Sequence, residues 1–246
     1  MTLILDLLTF DFFVAAAAAG IAGLMRGFAG FGSGMLMAPV FAILFGPVET
    51  VTIVILLEIA ASIQLVPKVL GDVEWRFVGP LGAMAALSMP LGALALGAID
   101  PALMTRIMAG IVLVFVLVLA TGWRYSGPKR LLPTLGVGAI SGALMAATSM
   151  GNPPVLLYML GSQDSAATNR SNIIAYFAVT SVVLIAVLAV MNLLSWPPFI
   201  RAAMLAPGYL VAAWFGSRLF RRSGETLYRR TVLIFLFCVA VYGLLR

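Results

Sequence analysis

An arginine, Arg26, sits inside the apolar run GIAGLMRGFAGFGSGMLMAP, residues 20–39. A charge in such a stretch is costly at membrane depth, so by default it marks a functional site. Its rigid fork of donors suits an anion. A carboxylate, Glu58, lies in the middle of VTIVILLEIAASIQLV and is the one acid clearly at membrane depth. It reads equally as a proton-coupling group and as a salt-bridge partner. Arg26 correspondingly contacts a substrate anion, pairs with Glu58, or snorkels to an interface.

Two breaks could supply the rest of an anion site. The first is the tip Phe28–Gly34, FAGFGSG, with Gly30, Phe31, Gly32, Ser33 and Gly34. The second is Thr148–Pro154, TSMGNPP, with Thr148, Ser149, Gly151 and Asn152. Each interrupts a helix and leaves backbone N–H groups free beside the positive end of the next short helix, an arrangement that attracts anions. Ser33, Thr148, Ser149 and Asn152 add side-chain donors. The alternative is that these glycines and prolines only turn the chain. Glycines at 20, 23, 27, 30 and 34 have helical spacing and line one face, which reads mainly as close helix packing. Further on, Ser165, Asn169, Asn172, Tyr176 and Thr180 form a polar stripe at spacings of 4, 3, 4 and 4. Such a stripe either glues helices together or wets a permeation path. Ser62 and Gln64 are weaker candidates of the same kind. Asp72, Glu74, Asp100 and Glu225 read as solvated loop charges.

The elements that must carry these residues follow from composition. Hydrophobic residues make up 63% of the 246 and charged residues 10%, with a mean hydropathy of +1.12. A soluble domain carries about 25% charged residues. The chain instead reads as ten apolar segments: 12–31, 33–46, 50–70, 77–97, 103–122, 132–150, 153–161, 167–191, 198–219 and 229–245. A spanning helix needs about 20 apolar residues, so the second and seventh are short. Segments 12–46 and 132–161 therefore read as hairpins with tips at membrane depth, where irregular backbone must be buried in protein or line a cavity. No β-barrel alternation is present. The expected class is an all-α polytopic membrane protein with eight to ten membrane segments. Trp75, Trp123 and Trp196 fall at segment ends as interfacial anchors. Pro90 and Pro207 fall within segments.

The net charge of +6 resides in loops, where it orients a membrane protein, so nucleic acid is not an expected partner. A single cysteine, Cys238, and the absence of histidine argue against a disulfide framework, a metal cluster and a cofactor. The first eleven residues carry Asp6 and Asp11 and no basic residue, a poor secretory leader; the N-terminus is expected to be retained.

A repeat is also visible. Sliding the chain by 115 residues places Gly23 on Gly138, Gly27 on Gly142, Pro39 on Pro154 and Glu49 on Asp164. Later the offset becomes 124, with Gly92 on Gly216 and Arg106 on Arg230. Arg26 falls on Ser141, so the halves differ there. The expected organisation is a first repeat over 1–124, a basic linker over 125–130 and a second repeat over 131–246. Lys68 and Arg76, then Arg124, Lys129 and Arg130, then Arg218–Arg230 mark three loops as cytoplasmic. Three crossings separate the hairpins, so the halves have opposite orientation, with both termini periplasmic. Inverted repeats with broken helices are a recurring plan of secondary transporters.

The glycine-rich first hairpin (GLMRGFAGFGSGMLMAP), the related second one (GALMAATSMGNPPVLLYML) and the two-halved length resemble the sulfite exporter TauE/SafE family of transporters over essentially the full chain. The second motif departs from the family's more glycine-rich form, with Asn152, Pro153 and Pro154 after Gly151. The resemblance implies a bacterial inner-membrane permease that moves a small sulfur-containing anion such as sulfite, thiosulfate or sulfoacetate. The combined reading is alternating access around the two tips, with Arg26 and the tip N–H groups holding the anion. Asn169, Asn172 and Tyr176 would line its path, and Glu58 would carry any proton coupling. Homo-oligomerisation is left open. An anion channel, a carrier of a non-sulfur organic anion and a membrane scaffold are the alternatives. An intramembrane enzyme lacks a nucleophile–base pair, and no Walker motif supports ATP-driven pumping.

Overall fold

A computed structural model describes residues 10–121, 125, 127, 129–160 and 164–219. These form nine α-helices among the described residues: α1 Phe10–Ala29, α2 Ser33–Phe45, α3 Pro47–Leu65, α4 Trp75–Ala98, α5 Pro101–Ala120, α6 Leu131–Thr148, α7 Asn152–Leu160, α8 Ala166–Val190 and α9 Pro197–Leu219. Seven are long and apolar enough to cross a membrane. The short ones are α2, with 13 residues, and α7, with 9. At about 1.5 Å per residue neither spans a hydrocarbon core of about 30 Å. Each follows a break, as the hairpin reading requires. The tenth apolar segment, 229–245, lies outside the described residues, as do Trp123, Arg221, Arg222, Arg229 and Arg230.

Local chemistry sets the element boundaries. Gly46, at φ +82°, turns the chain between α2 and α3, and Pro47 opens α3 where no N–H partner is needed. The Asp100 carboxylate accepts the N–H groups of Ala102 (3.0 Å) and Leu103 (3.1 Å) and caps α5. Asp100 is thus a structural cap as well as a loop charge. Ser165 caps α8 by accepting the Thr168 N–H at 3.0 Å. Helices α4 and α9 continue through Pro90 and Pro207.

The outer surface is apolar. Phe10, Leu87, Leu132 and Val190 project outward with little cover. In water such a surface would drive aggregation; hydrocarbon solvates it. Trp75 and Trp196 are exposed at helix starts, as interfacial anchors should be.

Inside, glycines set the helix pairing. A Cβ on Gly23 or Gly27 of α1 would overlap the carbonyl oxygen of Tyr209 or Ala213 of α9, and one on Gly216 of α9 would overlap that of Leu24. The same arrangement joins α6 and α4. There Gly138 and Gly142 lie against the carbonyls of Leu81 and Ala85, and Gly92 lies against that of Ala143. Backbones approach this closely only where both surfaces are small. Gly20 faces open space, so packing accounts for Gly23 and Gly27, while Gly30 and Gly34 belong to the first tip. Around these two pairs, α3 packs on α8 and α9, and α4 packs on α8.

The helix ends gather into two groups. At one end Lys129 pairs with Glu74 (3.2 Å) and with Asp164, and lies 4.5 Å from the Phe77 ring centre. At the other, Arg201 pairs with Glu49 and stacks 4.7 Å from the Phe45 ring centre, and Leu193 lies beside Gly97.

The close helix pairs yield a stability prediction. Gly27→Val and Gly142→Val should each lower stability by about 1–3 kcal/mol through forced overpacking. Gly20→Ala should be near neutral. Thermal unfolding in detergent, followed by circular dichroism, checks the contrast.

Candidate functional site

Helix α1 ends at Gly30, where φ is +81° and a Cβ would be strained. Its N–H donates to the Arg26 carbonyl at 2.9 Å, and Arg26 Nη1 donates back to the Gly30 carbonyl. Gly32, at φ +92°, then starts α2 without a side-chain cap. The N–H groups of Ser33, Gly34 and Met35, in the first turn of α2, have no acceptor within the helix.

Arg26 is fully buried and Glu58 is 4% exposed. Nε of Arg26 lies 2.9 Å from Oε2 of Glu58, yet neither atom makes an aligned hydrogen bond. The contact is a charge pair rather than an interlocked fork. Nη2 reaches Ser62 Oγ at 3.4 Å, and the guanidinium carbon lies 5.5 Å from the Phe177 ring centre. Glu58 Oε1 accepts from Ser33 Oγ and from Tyr209 OH at 3.4 Å. One buried pair therefore joins α1, α2, α3 and α9. An isolated ion at this depth would cost several kcal/mol, and partner and hydroxyls together offset that.

The second tip is built similarly from neutral groups. Ser149 adopts φ +58° at the end of α6, and its N–H donates to the Met145 carbonyl at 2.8 Å. Thr148 Oγ1 accepts the Met150 N–H at 3.2 Å, and Ser149 Oγ donates to the Thr148 carbonyl at 2.6 Å. Ser141 Oγ donates to the Gly151 carbonyl and accepts from Tyr176 OH at 2.7 Å. Ser141, the repeat counterpart of Arg26, thus also holds a tip carbonyl. The side chain of Asn152 lies outside the described residues.

The two tips meet. A Cβ on Gly34 would come within 2.6 Å of the Ser149 carbonyl oxygen, so the start of α2 rests on the second tip, beside Ser33 and hence Glu58. Phe31 is partly buried against the core. Arg170 Nη2 donates to the Gly27 carbonyl at 2.9 Å and its stem lies against Gly30.

The polar stripe of α8 is bonded along its length. Asn169 Nδ2 donates to the Met159 carbonyl at 3.4 Å. Asn172 accepts the Glu74 N–H and donates to Glu74 Oε2, both at 2.8 Å. Thr180 bonds back to the Tyr176 carbonyl at 2.7 Å. Of the stripe, Tyr176 is the member that reaches a tip. Glu74 is an exposed loop charge, and it also ties the start of α4 to α8 and Lys129. Sequence reasoning missed Tyr209 and Phe177. Tyr209 had one visible signal, a lone phenol in the middle of an apolar segment just after Pro207-Gly208.

Nine apolar helices among the described residues, two of them short and set behind paired breaks around a buried charge pair, define a multi-pass membrane protein of transporter type. Over residues 15–243 the sequence matches the family described as Sulfite exporter TauE/SafE, and the chain belongs to that family. No curated protein and no solved structure matches it.

Removing one member of the pair should be worse than removing both. Glu58→Ala leaves Arg26 buried without a counter-charge and should cost about 3–5 kcal/mol. Arg26→Met combined with Glu58→Met should recover most of that. Thermal unfolding of the two proteins in one detergent tests the order.

Proposed function

We propose that this protein is a secondary transporter of a small sulfur-containing anion, of the sulfite, thiosulfate or sulfoacetate kind, working by alternating access. The observation that carries the reading is the meeting of Gly34 and Ser149 beside the buried Arg26–Glu58 pair. Two interrupted helices, a cation at membrane depth and N–H groups without an intrahelical acceptor converge where an anion would need them. Membership of a family named for sulfite export favours sulfur oxyanions over other small anions. Arg26 and the N–H groups at Ser33–Gly34 are the proposed contacts; the hydroxyls of Thr148 and Ser149, which donate to the Leu144 and Thr148 carbonyls, would join them by turning toward the anion. Gly30, Gly32 and Gly151 shape the tips, and Tyr176 steadies the second one. Asn169 and Asn172 hold the helix that flanks the path. Glu58 is the residue assigned to proton coupling.

The proposed frame is a pair of inverted repeats, 1–124 and 131–246, joined by the basic linker. Its support is the pairing pattern. Exchanging the halves converts α1 on α9 into α6 on α4, and α3 on α9 into α8 on α4, and leaves α3 on α8 unchanged. Rocking one repeat against the other would part Gly34 from Ser149. The end that gathers Lys129, Lys68, Arg76 and Arg218 is assigned to the cytoplasm of a bacterial inner membrane, with both termini periplasmic.

Proteoliposomes should show saturable uptake and counterflow of labelled sulfite, thiosulfate or sulfoacetate, with sulfate and lactate as comparisons. Arg26→Ala should lower uptake by at least roughly tenfold, the scale of a lost buried charge contact. Saturation without counterflow would favour a channel, and no transport of any sulfur anion would sink the substrate class. In a Cys238→Ser background, Gly71→Cys and Ser195→Cys, in corresponding loops of the two halves, should be labelled from opposite faces of the membrane. Same-side labelling would refute the inverted arrangement.

A further inference from the structure

The proposed anion site already contains an anion. Glu58 lies on the guanidinium that an incoming substrate would need, so two negative groups compete for one buried cation. We propose that Glu58 is a resident counter-anion: the transported anion binds by displacing its carboxylate from Arg26, and the displaced carboxylate takes up one proton. This rests on the anion-carrier reading above and supplies its coupling step.

The charge balance favours it. Arg26 and Glu58 are both buried and sum to zero. An anion entering beside an ionised Glu58 would leave at least two negative charges against the positive charge of Arg26 in a region without bulk water, an arrangement strongly disfavoured at low dielectric. Protonation of Glu58 removes one of these charges, restoring neutrality for a monoanion and leaving a single excess charge for a dianion such as thiosulfate or sulfoacetate. One O–H bond forms on the Glu58 carboxyl, no covalent bond breaks, and the proton comes from whichever aqueous face the tips then open to.

The surroundings suit both states of the carboxyl. Its Oε1 is held by Ser33 Oγ and Tyr209 OH, hydroxyls that donate to a carboxylate and rotate to accept from a carboxylic acid. The pair itself lacks an aligned hydrogen bond at Nε and Oε2. An oxyanion able to take an aligned bond from Nε would gain what Glu58 does not use.

The charged and titratable groups facing Glu58 are Arg26 from α1 and Tyr209 from α9. Helix α2 contributes the Ser33 hydroxyl. From α8, Tyr176 is bonded to Ser141 and Arg170 to the Gly27 carbonyl. Among the described residues no group of α4, α5 or α6 forms an ion pair with Glu58.

The exchange also bears on the first tip. Arg26 holds the Gly30 carbonyl and Glu58 holds Ser33, so separating the pair loosens both sides of the break at once. Substrate binding and tip release are then one event.

The test measures protons taken up when thiosulfate or sulfoacetate is added to the purified wild-type protein in weakly buffered detergent with a pH dye. One proton should be taken up per anion bound, and Kd should weaken about tenfold per unit rise in pH over the range in which one full proton is taken up. Glu58→Gln should take up none, show no such pH dependence and bind roughly tenfold tighter, because the competitor is gone. Wild-type binding without proton uptake overturns the inference, as does a Glu58→Gln protein that still takes up a proton. The wild-type proton count decides even if the variant does not fold. Transport without proton uptake defeats only this inference, whereas wild-type liposomes that carry none of sulfite, thiosulfate and sulfoacetate defeat the carrier reading beneath it.

Discussion

A guanidinium at membrane depth must be neutralised within the protein, because no water is there to do it. In this chain the neutralising group is Glu58, two helices further along, and the pair fixes more than itself. Arg26 clamps the end of α1 through Gly30, Glu58 clamps the start of α2 through Ser33, and Tyr209 brings α9 onto the same carboxylate. The first break is therefore held in place by charge, although its sequence is mostly glycine. The second break has no such charge; Ser141 and Tyr176 hold it with hydroxyls. That difference separates the two tips: an ion pair holds the first and neutral hydroxyls the second.

Such a cluster needs closely packed supports. The helix pairs α1–α9 and α4–α6 meet at glycines whose missing side chains let backbone lie on backbone. Each pair takes one helix from either half of the chain, so neither half forms its packing alone. At the two ends, Glu74–Lys129–Asp164 and Glu49–Arg201 add polar ties between segments distant in sequence.

Much of the fold was legible because membrane helices announce themselves locally. Segment lengths, the short second and seventh helices and the breaks before them all follow from runs of apolar residues and from glycine, serine and proline. The residues around the breaks were legible too, since only a few polar types occur in such a chain. Less legible was what those polar residues do. Asn172 was a candidate path residue and is bonded to Glu74, 98 positions away. Glu74 read as a solvated loop acid; it is exposed and lies in a loop, but its bonds to Asn172 and Lys129 reach residues distant in sequence. Tyr209 gave almost no signal, its role depending on a contact 151 positions distant.

By itself, the sequence determined an all-helical, multi-pass membrane protein of the TauE/SafE family, with two interrupted helices and a charge between them. These properties reside in composition and in neighbours within a turn or two. Only the tertiary structure decided that Arg26 faces Glu58, that the carboxylate is shared with Ser33 and Tyr209, and that the two tips touch at Gly34 and Ser149. The sequence allowed Arg26 a substrate, an ion partner or an interface, all with equal local sense. Choosing among them takes the positions of α2, α3 and α9 around it, which are set by close packing between helices far apart in the chain.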